Sequence, residues 1–155
     1  MGFEQKILAA QGYCELGLYE EGLSEIDGIE PHLRNRPEIL EVRLLILMRA
    51  KRWVEALDIS NQLCVTEPQS TAGFVHAAFC LHELGRTGEA IDVLLAGPPA
   101  LREEPTVFYN LACYEAALGR REEAVENLRR SFKMDKKFRE FAKADPDLDP
   151  IRDLL

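Results

Sequence analysis

The sequence predicts an all-α fold, an α-solenoid of antiparallel helix pairs, and three observations predict it. A tripeptide of Glu, a small residue and an aliphatic residue recurs as Glu21-Gly22-Leu23, Glu55-Ala56-Leu57, Glu89-Ala90-Ile91 and Glu123-Ala124-Val125, each copy 34 residues after the last. A turn residue or a base stands five positions before each small residue, at Gly17, Lys51, Gly85 and Gly119. Apolar residues on both sides of that turn recur at helical spacing, as in Phe108, Leu111 and Ala112 before it and Ala124, Val125, Leu128 and Phe132 after it.

The period divides the chain into four units without insertions, 3–36, 37–70, 71–104 and 105–138, followed by a capping helix and tail over 139–155. Each unit reads as two amphipathic helices. In the second unit Leu40, Leu44 and Leu47 form the stripe of the first helix, and Ala56, Leu57 and Leu63 that of its partner, with Pro68 beyond its end. Pro37 and Pro105 open first helices, where the missing N–H costs nothing. The residues at 22, 56, 90 and 124 are small because a longer side chain would push two closely crossing helices apart. Glycine suits the turn because it enters the left-handed region without steric cost.

The period, the Leu-Gly turn, the Ala of the second helix and the Pro68 stop resemble the tetratricopeptide repeat family. The unit at 105–138 is the closest match, through Phe108, Tyr109, Asn110, Leu111, Ala112, Leu118, Gly119 and Ala124, and the first unit is the loosest. The resemblance spans about 3–138 and implies helical hairpins stacked in a right-handed superhelix with a concave groove. It also implies adaptor or chaperone roles. The ending resembles the closing segment of bacterial tetratricopeptide proteins that finish in an acidic Asp-Pro-Asp-Leu stretch.

Three departures from the repeat carry expectations of their own. Arg43 stands in a column otherwise filled by Ala9, Ala77 and Leu111, so its head must reach solvent or a carboxylate. Gly97-Pro98-Pro99 should end the second helix of the third unit near Ala96 and leave 97–104 as a loop. In the tail, Phe138 and Phe141 should be buried near Leu128 and Phe132 as the cap that a terminal repeat needs, before Asp145-Pro146 and Asp149-Pro150 break the helix.

Composition narrows the function. Hydrophobic residues make up 46% of the chain and charged residues 30%, a globular mix. A formal charge of −8 disfavours nucleic acid and anionic membranes as partners. No basic region precedes an apolar run at the N-terminus, and Lys6 stands where a myristoylation signal needs Ser or Thr, so a cytoplasmic location is expected. Cys14, Cys64, Cys80 and Cys113 occupy apolar positions without a CxxC spacing and read as reduced, mostly buried residues.

Catalytic chemistry finds little support. His76 and Cys80 are four apart on one helix face and could begin a metal site or a nucleophilic pair. A metal site needs two more ligands, for which Cys113 is the only nearby candidate, and no oxyanion hole accompanies the pair. No phosphate-binding glycine motif occurs. The expectation is a non-enzyme without cofactor or metal.

In the resembled family the first helix of each unit lines the groove. Projected onto this chain, that face comprises Ile7, Gln11, Glu41, Leu45, Met48, Val75, Phe79, His82, Tyr109 and Cys113. The family's chaperone-binding members clamp a terminal carboxylate with Lys and Asn. Here those positions are largely apolar or acidic, which excludes that role. An apolar groove with Met and aromatics suits an apolar peptide or helix, although the same residues also serve to pack hairpin on hairpin or to receive the chain's own tail. The leading expectation is a protein-interaction scaffold, with self-association as one form of partnership. The alternatives are a secretion-type chaperone holding an extended client segment, and a metal or catalytic protein built on Cys80 and His76.

Overall fold

A computed structural model describes residues 2–155, and among them the regular structure is helical, with no strand. The chain divides into two compact units, Met1–Pro68 and Gln69–Leu155. The first contains α1 (Gly2–Glu15), α2 (Tyr19–Asp27), α3 (Pro37–Arg49) and α4 (Trp53–Thr66). The second contains α5 (Ala72–Glu83), α6 (Thr87–Ala96), α7 (Pro105–Ala117), α8 (Arg121–Met134) and α9 (Lys137–Ala144), then a 3-10 tail, Pro146–Leu154. Each odd-numbered helix from α1 to α7 pairs with the helix that follows it, so the repeat read from the sequence is a helical hairpin.

The turn chemistry is the same in all four hairpins. Gly17, Gly85 and Gly119 have φ of 75°, 78° and 77°, and Lys51 has φ 59°. The amide after each turns back to the helix it has left: Leu18 N to Tyr13 O at 2.9 Å, Arg52 N to Leu47 O at 2.9 Å, Arg86 N to Leu81 O at 2.8 Å and Arg120 N to Glu115 O at 2.9 Å. These bonds, with one from the preceding amide, satisfy carbonyls that a helix end otherwise leaves open. Lys51 adopts the left-handed conformation despite its Cβ, and the same bonding pattern holds it there.

At the crossings, Ala56, Ala90 and Ala124 have no solvent exposure. The first hairpin is tighter still. A Cβ on Gly22 would lie 3.1 Å from the Ala10 carbonyl oxygen and 3.3 Å from Ile46 Cδ1, so glycine there lets α1, α2 and α3 approach. Arg43, the base in an apolar column, sends its guanidinium to Asp27 Oδ1 at 2.7 Å.

Two hairpins lose part of their second helix. In the third, α6 ends at Ala96 as expected, but 97–104 is not an open loop. Pro99–Glu103 forms a 3-10 turn that buries Leu101, and a Cβ on Gly97 would overlap the Leu101 side chain and press on Phe74. In the first, α2 stops at Asp27, and Arg34 donates to the Ile29 and Asp27 carbonyls at 2.7 and 2.6 Å in place of the missing turn.

The cap also differs from expectation. Phe138 and Ala142 are buried, but Phe141 is 57% exposed. Positions 138 and 142 are four apart and share a face of α9, whereas 141 lies about 100° around the helix from 142. The apolar cover that Phe141 does not supply comes from Leu148 and Ile151 in the tail, both with no exposure. Arg152 ties the tail to α9 by donating to the carbonyls of Ala142 at 2.7 Å and Asp145 at 2.6 Å. Arg121 on α8 pairs with Asp153 and donates to the Pro150 carbonyl at 3.1 Å.

Candidate peptide-binding face

The 34-residue period sets the projected groove residues in columns. Ile7, Glu41, Val75 and Tyr109 form one, and Gln11, Leu45, Phe79 and Cys113 form a second, one helical turn further on. Met48 and His82 share a third column. All sit on first helices, α1, α3, α5 and α7.

In the Met1–Pro68 unit these residues are open to solvent to different degrees. Gln11 and Glu41 are exposed, Leu45 is 45% exposed, and Ile7 and Met48 are half-buried. Gln11 and Leu45 face a shallow cleft between α1 and α3 of about 240 Å³, which Arg49 and Glu15 border.

In the Gln69–Leu155 unit, Val75, Phe79 and His82 on α5 are half-buried. His82 is engaged by its own hairpin and the next: Nδ1 shares a hydrogen bond with Thr87 Oγ1 at 2.9 Å, and the ring lies 4.8 Å from that of Tyr114 on α7. Tyr109 and Cys113 are only 8% and 5% exposed, because the tail packs against α7. The Tyr109 hydroxyl donates to Asp145 Oδ2 at 2.6 Å, and the Cys113 thiol lies 4.0 Å from the same oxygen. Phe138 adds its ring 5.3 Å from that of Tyr109. These two positions therefore do not line an open groove, which corrects the projection for the last repeat. Their place is taken by a segment of the chain itself.

The tail is arranged around Asp145. Its Oδ1 accepts the Asp147 amide at 3.0 Å and opens the 3-10 turn, while Oδ2 takes the tyrosine. Burial, reinforced by the Asp145 carboxylate, pushes the Tyr109 hydroxyl and the Cys113 thiol well above their ordinary pKa ranges. A thiol so shifted stays protonated at neutral pH and is a poor nucleophile. Burial raises Cys64 in the same direction, and all four cysteines are thiols rather than disulfides.

Among the described residues, His76 and Cys80 do not join Cys113 in a ligand cluster. Among the described residues, the donors that do converge are Cys113, Asp145 and Asp147, whose ligand atoms lie within 4.8 Å of one another. Asp145 already accepts hydrogen bonds on both oxygens, and the cluster is accounted for by tail docking. It is the tail aspartate, not a residue of the helical repeat, that sequence columns miss. Its signal is the Asp-Pro pair.

His76 is partly buried on α5, and desolvation lowers its pKa below the usual histidine value. The unfolded chain therefore takes up this proton before the folded one as pH falls. Stability linked to His76 is fully present above the ordinary histidine pKa and is lost as pH falls through that range. Urea unfolding at about pH 7.5 and about pH 5.5 should show this loss. His76→Gln should lose less over the same interval.

No family model matches the chain, and no curated protein matches it in sequence. Solved structures do match. A crystal structure of MamA protein superposes with a TM-score of 0.78 at 16% identity, covering 99% of this chain and 87% of that one. MamA from Desulfovibrio magneticus RS-1, from its residue 41 onward, gives 0.74 at 18% identity, with coverage of 86% and 76%. TTC0263, a thermophilic tetratricopeptide protein of Thermus thermophilus, gives 0.71 at 17%, with 88% and 76% covered. These likenesses establish a tetratricopeptide-like helical-repeat fold. Among the described residues, no helix is long and apolar enough to cross a membrane.

Proposed function

We propose that this chain, having the tetratricopeptide-like fold, acts as a non-enzymatic protein-interaction scaffold whose first-helix faces take a peptide or helix from a partner. One observation carries the reading. In the last repeat the two columns are already occupied by polypeptide: Tyr109 and Cys113 meet the Asp145–Ile151 stretch, with a carboxylate on the tyrosine hydroxyl and two aliphatic side chains fully buried. The same columns in the earlier repeats hold Leu45, Val75 and Phe79, apolar side chains left partly exposed on rigid helices. Filling an apolar pocket around such a side chain contributes about 1.5–3 kcal/mol. Presentation on a preformed helix keeps the ordering cost low.

A photoreactive amino acid placed at 79, and separately at 45, tests this. A partner polypeptide should be cross-linked from both positions and not from Glu126, on the exposed side of α8. Phe79→Ala in the folded chain should weaken that capture strongly, as expected for an aromatic anchor. Equal cross-linking from 126, or full retention of the partner by Phe79→Ala, would sink the proposal.

A further inference from the structure

We propose that a cationic cleft between α8, α9 and the end of the tail is a second docking site, one that takes an acidic peptide segment carrying an apolar side chain. The cleft encloses about 770 Å³. It is lined by the apolar side chains of Phe132, Ala142 and Leu154 and by Arg129, Arg139, Glu140 and Lys143. The inference rests on none of the first-helix residues and stands apart from the scaffold reading.

Charge segregation is the first argument. Residues 129–143 contain seven of the chain's 19 Lys and Arg but only two of its 27 Asp and Glu, and three of the seven, Arg129, Arg139 and Lys143, line the cleft with Arg152, against one acidic side chain, Glu140. A chain of net charge −8 thus concentrates positive charge on one short stretch. Pairing engages Arg130 with Glu126 and Lys137 with Asp135, away from the cleft, and leaves the cleft's own bases available. Arg129, at an interior position of α8, has no carboxylate within 4.0 Å among the described residues and is exposed. Lys143 pairs with Glu140 at 3.0 Å, but both side chains are more than 70% exposed, so a ligand carboxylate can displace the glutamate at small cost.

The shape of the rim is the second argument. The Arg139 guanidinium lies over the Phe132 ring, 5.2 Å from its centroid, which fixes a planar donor beside an apolar surface. Arg152 also borders the cleft, but its guanidinium is committed to the Ala142 and Asp145 carbonyls and to Asp149, so it acts as wall rather than as ligand. Cations set among aromatic and aliphatic side chains suit a peptide that alternates acid and apolar residue. A nucleic acid or a lipid surface would need a broader positive face than a chain of this charge presents.

The test is fluorescence anisotropy with the full chain. The probe is a short labelled peptide in which aspartates and glutamates flank leucine, with its lysine-substituted counterpart as control. The acidic probe should bind and the lysine probe should not. Binding should fall as salt is raised from about 50 to about 300 mM, and Arg129→Glu with Lys143→Glu should weaken it by about tenfold or more. Both positions are exposed, and the milder Arg129→Ala with Lys143→Ala, which should weaken binding in the same direction, guards against a folding defect. The proposal is overturned if the acidic probe does not bind, or if the reversed and the alanine variants bind it as the parent does. It is overturned equally if anionic vesicles or a single-stranded oligonucleotide bind the cleft in preference, or if sedimentation shows the cleft occupied by a second copy.

Discussion

Leu148→Ala should destabilise the Gln69–Leu155 unit by about 2–5 kcal/mol, the range for deleting a fully buried leucine side chain. Leu148 has no solvent exposure although it lies in a 3-10 segment near the end of the sequence. A residue in so short and irregular a segment is buried only if the segment is docked, so its loss acts on the docking as well as on the core. The tail is held at both ends, by Tyr109 on Asp145 and by Arg121 on the Pro150 carbonyl and Asp153, and Leu148 and Ile151 supply the apolar contact between them. Two readings check the prediction together. Urea unfolding should shift to lower denaturant, and the Cys113 thiol, which the tail covers, should react faster with a thiol reagent under native conditions. A variant with unchanged stability and an unreactive Cys113 would show that the tail contributes no packing.

Ala90→Leu should cost about 1–3 kcal/mol through overpacking at the α5–α6 crossing. Ala90 has no exposure, and α5 and α6 pack along their lengths as one hairpin. The extra carbons have no route outward, so either the helices separate or side chains leave their rotamers. The effect should appear in thermal or urea unfolding. Ala96→Leu, at the exposed end of the same helix, should be nearly neutral. Equal stability of Ala90→Leu and the parent would place the crossing elsewhere and refute the repeat register.

What the sequence made legible follows from what repeats. Gly17, Lys51, Gly85 and Gly119 share one backbone conformation, and the small residues at 22, 56, 90 and 124 share one close approach, so a fixed spacing reports both. The end of α6 at Ala96 was legible for a different reason: two consecutive prolines leave a helix no alternative. The misses lie where the chain departs from the period. The early stop of α2 depends on Arg34 reaching back to carbonyls across the turn, and the turn at Pro99–Glu103 depends on Leu101 finding the core. Neither has a counterpart in other repeats against which to be read. Phe141 looked like core by composition, yet helical phase turns it outward.

The candidate face was legible as columns but not in its occupancy. First-helix positions follow from the period alone, so Leu45, Val75 and Phe79 were identifiable. Whether Tyr109 and Cys113 are open depends on where a non-repeating segment docks. The Asp-Pro signals mark where that segment turns, not which surface it meets. His82 shows the same limit, since its bond to Thr87 belongs to its own hairpin rather than to a groove.

The hydrogen bond from Tyr109 to Asp145 has a further consequence, one of competition. The segment on α7 is joined to it through α8 and α9, so its docking there is intramolecular and proceeds at a high effective concentration. An external peptide of similar chemistry meets at this position a rival that never diffuses away. Its apparent affinity on α7 falls by the fraction of molecules whose tail is lifted. A partner's side chain therefore reaches the α7 position only in the molecules whose own aspartate has let go.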